Sequence, residues 1–145
     1  MNSDYNLVDG TFCWCVEKKL HRKKLFRKDH CCRVIHDIWH ANGLIRNGGF
    51  HRFFDISTKA IVRTVVDAYQ VVDLNKYAAL ISAAEQAYNA SKKRLIDQTN
   101  DADADSIRAS IDDELSLLER EFYDANDLIT EKLARYIEKM NPRAL

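Results

Sequence analysis

Cysteine and histidine side chains, which are common zinc ligands, are concentrated near the amino-terminal end of this sequence. Eight of them fall within 28 residues: Cys13, Cys15, His21, His30, Cys31, Cys32, His36 and His40. His36 and His40 are four residues apart, which places both imidazoles on one face of a helix. The spacing of two intervening residues that is typical of paired zinc ligands is absent, and adjacent Cys31 and Cys32 point to different sides of a helix. We therefore expect core thiols and surface imidazoles here, and no metal site.

The same region offers residue types that could perform nucleophilic catalysis. His36, Asp37 and His40, with a nearby cysteine, could supply a base and a nucleophile. However, the sequence shows no strained strand-to-helix turn and no loop of oxyanion donors to accompany them. The segment Asn47-Gly48-Gly49 is too short to be a phosphate-binding glycine loop. The sequence therefore predicts a protein without enzymatic activity and without a cofactor.

Carboxylates dominate residues 97–131, where twelve Asp or Glu stand against Arg108 and Arg120, giving a formal charge of −10. Carboxylates one helical turn apart are about 5.4 Å from each other, a spacing of the same order as the charge repeat along a DNA strand. We interpret this acidic tract as a face for a basic protein surface, such as one that normally binds DNA. The candidate partner-binding residues are Asp101, Asp103, Asp105, Asp112, Asp113, Glu119, Glu121 and Asp124. The other interpretation is a solvated helix face whose aspartates lie near helix N-termini, where the macrodipole stabilises them.

A basic segment, residues 18–33, lies toward the other end of the chain and contains eight Lys or Arg. Such a cluster is an electrostatic footprint of nucleic-acid binding, although Phe26 is the only aromatic side chain of the Phe, Tyr or Trp type inside it. A direct nucleic-acid-binding module is therefore the alternative function. The segment could also neutralise the acidic tract of the same chain, or of a second copy in a homodimer.

Length and composition favour one globular domain over residues 1–145. The net charge is zero, and only four Gly and one Pro interrupt the chain, which favours helices over a turn-rich β fold. No apolar run approaches the ~18 residues that a membrane span needs, and the N-terminus lacks the pattern of a secretion signal. We therefore expect a cytoplasmic protein that contacts no membrane and whose thiols are reduced, because a domain with an adequate core does not need disulfides.

Apolar residues recur at helical spacing through most of the chain, which predicts an all-α fold, a compact orthogonal bundle of five to six helices. The expected helix starts are Thr11, Asp29, Ser57 or Thr58, Asp73, about Ser106, and Asn126 or Asp127, with the last helix ending before Pro142. Residues 97–105 are polar and are expected to form a loop or a frayed helix end. The second helix should end at Asn47-Gly48-Gly49, because glycine tolerates a positive φ.

An aromatic connector follows that glycine pair, and we expect one turn of helix that fills the core. Its structural motif consists of Asn47, Gly48, Gly49, Phe50, Phe53 and Phe54. We expect Gly48 or Gly49 to adopt a positive φ, which a side chain disfavours.

Two segments in this order, residues 47–55 (NGGFHRFFD) and residues 121–127 (EFYDAND) leading into residues 133–137 (LARYI), resemble a family of small helical bacterial proteins named after an acidic DNA-mimic member. The resemblance extends over residues 30–141 and leaves residues 1–28 unmatched. It implies an all-α fold, no enzymatic activity, and carboxylates offered where a DNA-binding protein expects phosphates. This chain departs from that pattern because it is neutral overall and has a basic front end.

Overall fold

Helices account for nearly all of the described chain, as the apolar spacing predicts. The structure is a computed structural model that describes residues 2–21, 30–97 and 101–144. Its α-helices are α1 (Ser3–His21), α2 (His30–Ile56), α3 (Lys59–Val71), α4 (Asn75–Asp97), α5 (Asp101–Asp124) and α6 (Asn126–Met140), followed by a 3-10 turn (Pro142–Ala144). These residues contain no strand, so the fold class is all-α.

Aromatic rings from four helices meet in the core around Phe122 of α5. The Phe122 ring lies 5.8 Å from that of Phe50 in α2, in an edge-on arrangement. Its centroid is 6.1 Å from that of Tyr69 in α3 and 6.4 Å from that of Tyr77 in α4. Burying one phenylalanine side chain contributes about 1.5–3 kcal/mol, and edge-on pairs add to that. This cluster therefore fixes α5 against the three helices before it.

The first helix begins earlier than predicted. Thr11 is buried in the middle of α1 and is not its N-cap. The helix starts at Ser3, where the Asn2 side chain accepts a hydrogen bond from the Asp4 N–H at 2.9 Å. Asparagine caps helices as well as threonine does. Local capping preference therefore does not decide where α1 begins, and the packing of residues 3–10 against the bundle does. The predicted cap at Asp29 lies outside the described residues.

Three other helix starts also differ from the prediction. Asp73 has a positive φ of 61° in the turn before α4, and its carboxylate forms an ion pair with Lys132 at 3.4 Å instead of capping. The α5 helix begins at Asp101 and not near Ser106, so residues 101–105 are helical and not a loop. The α6 helix has Ala125 at its N-cap position and no side-chain cap. The predicted cap Asn126 instead accepts a hydrogen bond from the Asn42 side chain at 3.3 Å.

Two helix boundaries agree with the prediction. The Thr58 hydroxyl accepts a hydrogen bond from the Ile61 N–H at 3.2 Å, which caps α3. The α6 helix ends at Met140, and Asn141 takes the left-handed conformation before Pro142. These two helix boundaries could be predicted from the sequence because a capping residue and a proline act only on neighbouring residues.

The expectation of reduced thiols is wrong for two of the four cysteines. Cys15 of α1 and Cys32 of α2 form a disulfide, with their Cα atoms 5.4 Å apart. Cys13 is exposed and Cys31 is buried. Neither cysteine is paired with its sequence neighbour, so the spacing within each cysteine pair did not reveal the bond. Only the packing of α1 across α2 brings these two side chains together.

Several polar and aromatic contacts hold α1 against the rest of the bundle. The Trp39 indole N–H donates to the Asp9 carboxylate at 3.1 Å, and the Trp39 ring lies 5.5 Å from that of Tyr5. The Arg135 guanidinium of α6 contacts the Asp4 carboxylate at 2.5 Å. The amino-terminal helix is therefore packed on both α2 and α6. None of the helices in residues 2–21, 30–97 and 101–144 has the length and apolar character that crossing a membrane requires.

Candidate partner-binding face

The connector motif bends α2 at a single glycine. The helix is regular on both sides of Gly49, which has φ 72° and ψ −179°. Almost only glycine reaches this backbone region. The prediction of a positive φ at Gly48 or Gly49 is therefore confirmed, at Gly49. After the kink the helix resumes and buries the phenylalanines of the motif, Phe50, Phe53 and Phe54.

The Glu119 carboxylate of α5 lies against this kink. Its Oε1 accepts a hydrogen bond from the Phe50 N–H at 2.8 Å. Phe50 begins the resumed helical segment, whose first N–H groups lack intrahelical acceptors and favour a negative charge. A Cβ built on Gly49 would lie 2.5 Å from the same oxygen. Gly49 therefore serves two purposes, because it permits the kink and leaves room for the carboxylate that satisfies it.

A cleft of about 360 Å³ lies between the connector and α5. On one side of it, His51 Nε2 is 2.7 Å from the Asp112 carboxylate. On another, the Tyr123 hydroxyl donates to the Ile45 carbonyl at 3.0 Å. Burial raises the pKa of Tyr123, the Glu119 carboxylate raises that pKa further, and the Arg46 guanidinium opposes them. Tyr123 therefore stays a neutral hydrogen-bond donor. Together, the two contacts connect α5 to the segments of α2 before and after Gly49.

Seven of the eight predicted partner-binding carboxylates consequently fall into two groups. Asp105, Asp112 and Glu119 are seven residues apart, so they form one row along α5. Asp105 pairs with Arg108 of the same helix at 3.1 Å, whereas Asp112 and Glu119 contact the connector. Asp112 and Glu119 therefore have a structural use that the sequence did not reveal. Asp101 lies in the first turn of α5.

The second group faces solvent, and we call it the outer acidic face. It comprises four of the predicted residues, Asp103, Asp113, Glu121 and Asp124, together with Glu114, which the predicted site did not include. All five are exposed. Within the described residues none of the five forms a hydrogen bond or an ion pair. At about 100° per residue, these positions share a sector of roughly 100° on α5. The centre of this sector is roughly 110° around the helix from the buried stripe, which consists of Ile107, Ile111, Leu115 and Phe122. Helical geometry thus gathers five unengaged carboxylates on one side of one helix.

The other candidate chemistries have less support. Among the described residues, no group of three or more Cys, His, Asp or Glu side chains is arranged to hold a metal ion. The His36 and His40 rings instead stack on each other at 5.4 Å, and Phe12 stacks on His36 at 5.7 Å. His36 Nδ1 is 3.2 Å from the neighbouring Asp37 carboxylate. The His36 imidazole therefore belongs to the contact between α1 and α2, and the exposed His40 imidazole stacks beside it.

Half of the basic segment, residues 22–29, lies outside the described part of the chain. Of its eight basic side chains only Arg33 is described. Arg33 is exposed beside a small cleft that also contains Asp37 and Asp67. This arrangement mixes both signs of charge, so it is no continuous basic surface.

The sequence also carried a signal that the predicted site did not include. Leu117 lies outside the buried stripe of α5 and is 65% exposed. Its position in the middle of the outer acidic face follows from the helical period alone, since Asp113 and Glu121 are each four residues away. Acidic residues dominate that stretch, so the sequence pattern alone does not single out Leu117.

Comparison with known proteins identifies the domain. No curated protein matches the chain. No solved structure matches it either. The family model described as DMP19-like protein matches residues 29–140, which include the Gly49 kink, its Glu119 partner and the outer acidic face. The match leaves out all of α1 (Ser3–His21). The chain belongs to the DMP19-like protein family.

Proposed function

We propose that this protein regulates a DNA-binding protein by presenting its outer acidic face in place of DNA. The observation that carries the proposal is the set of five exposed carboxylates on one sector of α5 that no other described residue engages. Membership of the DMP19-like family supports it, because the family takes its name from a DNA mimic. Catalysis forms no part of the proposal, which assigns the chain a binding role.

The charge density of α5 is of the right order for mimicry. The helix has 24 residues, with nine carboxylates and two arginines. At about 1.5 Å per residue it is roughly 36 Å long, so it carries about one net negative charge per 5 Å. A DNA strand carries one charge per ~3.4 Å. A surface whose lysines and arginines are spaced for phosphates therefore meets a comparable field along this helix.

The neutral total charge is compatible with this role. In physiological salt, charges more than about 8–10 Å apart at a surface are largely screened. A partner that approaches α5 therefore experiences the local carboxylates more than the basic residues elsewhere. Steering of this kind accelerates association and weakens with added salt.

A charge-reversal experiment tests the proposal. The parent chain and the variant Asp113→Lys with Glu121→Lys are immobilised, and both receive the host-cell proteins that bind heparin. Bound proteins are then eluted with short duplex DNA. A matched control, Glu17→Lys with Asp67→Lys, makes the same change in formal charge at two exposed positions outside α5.

We expect the parent and the control to release a DNA-eluted protein that the Asp113/Glu121 variant does not retain. Equal retention by all three would reject the outer acidic face as the binding site. Melting curves establish that the variants are folded, since surface substitutions change stability by only about 0.5 kcal/mol. A gel shift with the chain and duplex DNA alone tests the alternative. A shifted band would favour a nucleic-acid-binding module built on residues 18–33.

Two further proposals concern the cellular site and the state of assembly. We propose that the cytoplasm, where DNA-binding regulators act, is where the chain functions. A homodimer would bring the basic residues of one copy near the acidic tract of another. Light scattering during size exclusion at low and high salt measures whether such a salt-sensitive dimer forms.

A further inference from the structure

Leu117 is a large apolar side chain in the middle of a charged surface. It is 65% exposed, whereas its neighbour in the buried stripe, Leu115, is almost fully buried. Residues three and four positions away on a helix are its surface neighbours, about 5–6 Å apart between Cβ atoms. For Leu117 these neighbours are Asp113, Glu114, Arg120 and Glu121, all exposed. Three carboxylates and one guanidinium thus surround an apolar centre.

We infer that Leu117 is the selectivity residue of the outer acidic face, and that it inserts into an apolar recess flanked by lysines or arginines on the partner protein. This inference rests on the proposed function. The carboxylates around Leu117 would contact the lysines or arginines at the rim of the recess. Leu117 itself requires an apolar surface between those cations, because removing an apolar side chain from water is favourable only where it meets an apolar surface.

This arrangement would make the protein bind its partner in preference to other DNA-binding proteins. Carboxylates alone suit any surface that neutralises phosphates, since phosphate contacts carry no sequence information. Interfaces gain much of their affinity from a central buried anchor that a rim of polar contacts shields from water. Leu117 has the central position and its charged neighbours have the rim positions. A DNA-binding surface with uninterrupted cations would bury Leu117 against charge and be disfavoured.

The experiment uses the full chain and the DNA-eluted protein from the charge-reversal experiment as the probe. The variants are Leu117→Gln and a matched control, Ile56→Gln, because Ile56 is an apolar residue of similar exposure, 58%, at the end of α2. Glutamine keeps the helical propensity of leucine at an exposed site. The dissociation constant is measured by titration calorimetry at two salt concentrations for the parent, both glutamine variants and the Asp113/Glu121 variant.

We expect Leu117→Gln to weaken binding by about tenfold or more at both salt concentrations, with the salt dependence of the parent. Ile56→Gln should bind like the parent. The Asp113/Glu121 variant should bind weakly and with a smaller salt dependence, because its cost is electrostatic.

The outcomes separate the two proposals. If Leu117→Gln binds like Ile56→Gln while the charge reversal still weakens binding, the selectivity role is wrong and the acidic face remains. If the charge reversal leaves the affinity unchanged, or if no DNA-eluted protein is captured, the proposed function fails and the role of Leu117 fails with it. Melting curves of Leu117→Gln exclude loss of fold as the cause.

Discussion

Substituting Gly49 with Ala should destabilise the protein far more than the same change at Gly43. At Gly49 a side chain must adopt φ 72° with ψ −179°, a glycine-only conformation that costs about 1–3 kcal/mol. The new Cβ would also lie 2.5 Å from Glu119 Oε1. The carboxylate must then move from the Phe50 N–H, and a hydrogen bond to a charged group is worth about 1.5–3 kcal/mol. We expect a combined loss of roughly 3–5 kcal/mol.

Gly43 provides the control, because it lies in the same helix, six residues before Gly49, and does not have a positive φ. An added Cβ there has no neighbouring atom within 4 Å. Alanine is also favoured over glycine in a helix by about 0.5–1 kcal/mol. Gly43→Ala should therefore stay within about 1 kcal/mol of the parent. For a chain of this size, each kcal/mol corresponds to a shift in melting temperature of about 2–4 °C.

A double-mutant cycle with Glu119→Ala separates the two causes. Removing the carboxylate removes the overlap, so Gly49→Ala should cost only its backbone strain in that background. We therefore expect a coupling free energy between Gly49 and Glu119 of about 0.5–3 kcal/mol. Urea unfolding followed by far-ultraviolet circular dichroism measures all four chains. If Gly49→Ala unfolds like Gly43→Ala, or if the coupling is zero, the account of the kink is wrong.

Two further predictions concern the disulfide and a tyrosine. Reducing the Cys15–Cys32 disulfide, which closes a separation of 17 residues, should destabilise the fold by about 3 kcal/mol and lower the melting temperature by roughly 6–12 °C, whereas Cys13→Ser should not. Burial, followed by the hydrogen bond and charge of Asp55, raises the pKa of Tyr88 to about 12. The neutral phenol is thus favoured in the folded state. This preference stabilises the folded state fully below pH ~10, and the stabilisation is lost as the pH rises toward 12. Alkaline titration of phenolate absorbance should show one high-pKa tyrosine fewer in Tyr88→Phe, and an unchanged curve would contradict this.

The helices themselves could be predicted from the sequence because apolar spacing and capping residues act over short stretches of chain. The apolar stripe of Ile107, Ile111, Leu115 and Phe122 repeats with the helical period, and each of these side chains is buried as that period requires. The cap at Thr58 and the end before Pro142 also act within one helical turn. The NGGF motif indicated a positive φ for the same reason, since only glycine reaches that backbone conformation at low cost.

The first residue of each helix was harder to predict from the sequence, because several residues in each region can cap a helix. Thr11 and Asp73 have suitable side chains, yet α1 begins at Ser3 and Asp73 pairs with Lys132. Local propensity differs between such starts by only about 1 kcal/mol. The burial of whole helical turns against neighbouring helices involves larger free energies, so packing decided where these helices begin.

Contacts between distant parts of the chain were decided by the tertiary structure alone. Glu119 and Phe50 are 69 residues apart, and His51 and Asp112 are 61 apart. The charges of Glu119 and Asp113 are identical in the sequence, and both residues lie in the same acidic tract. Only the direction in which α5 packs turns Glu119 toward the kink and Asp113 toward solvent. The sequence by itself therefore determined that α5 is acidic, and the packing of its apolar stripe determined which carboxylates remain for a partner.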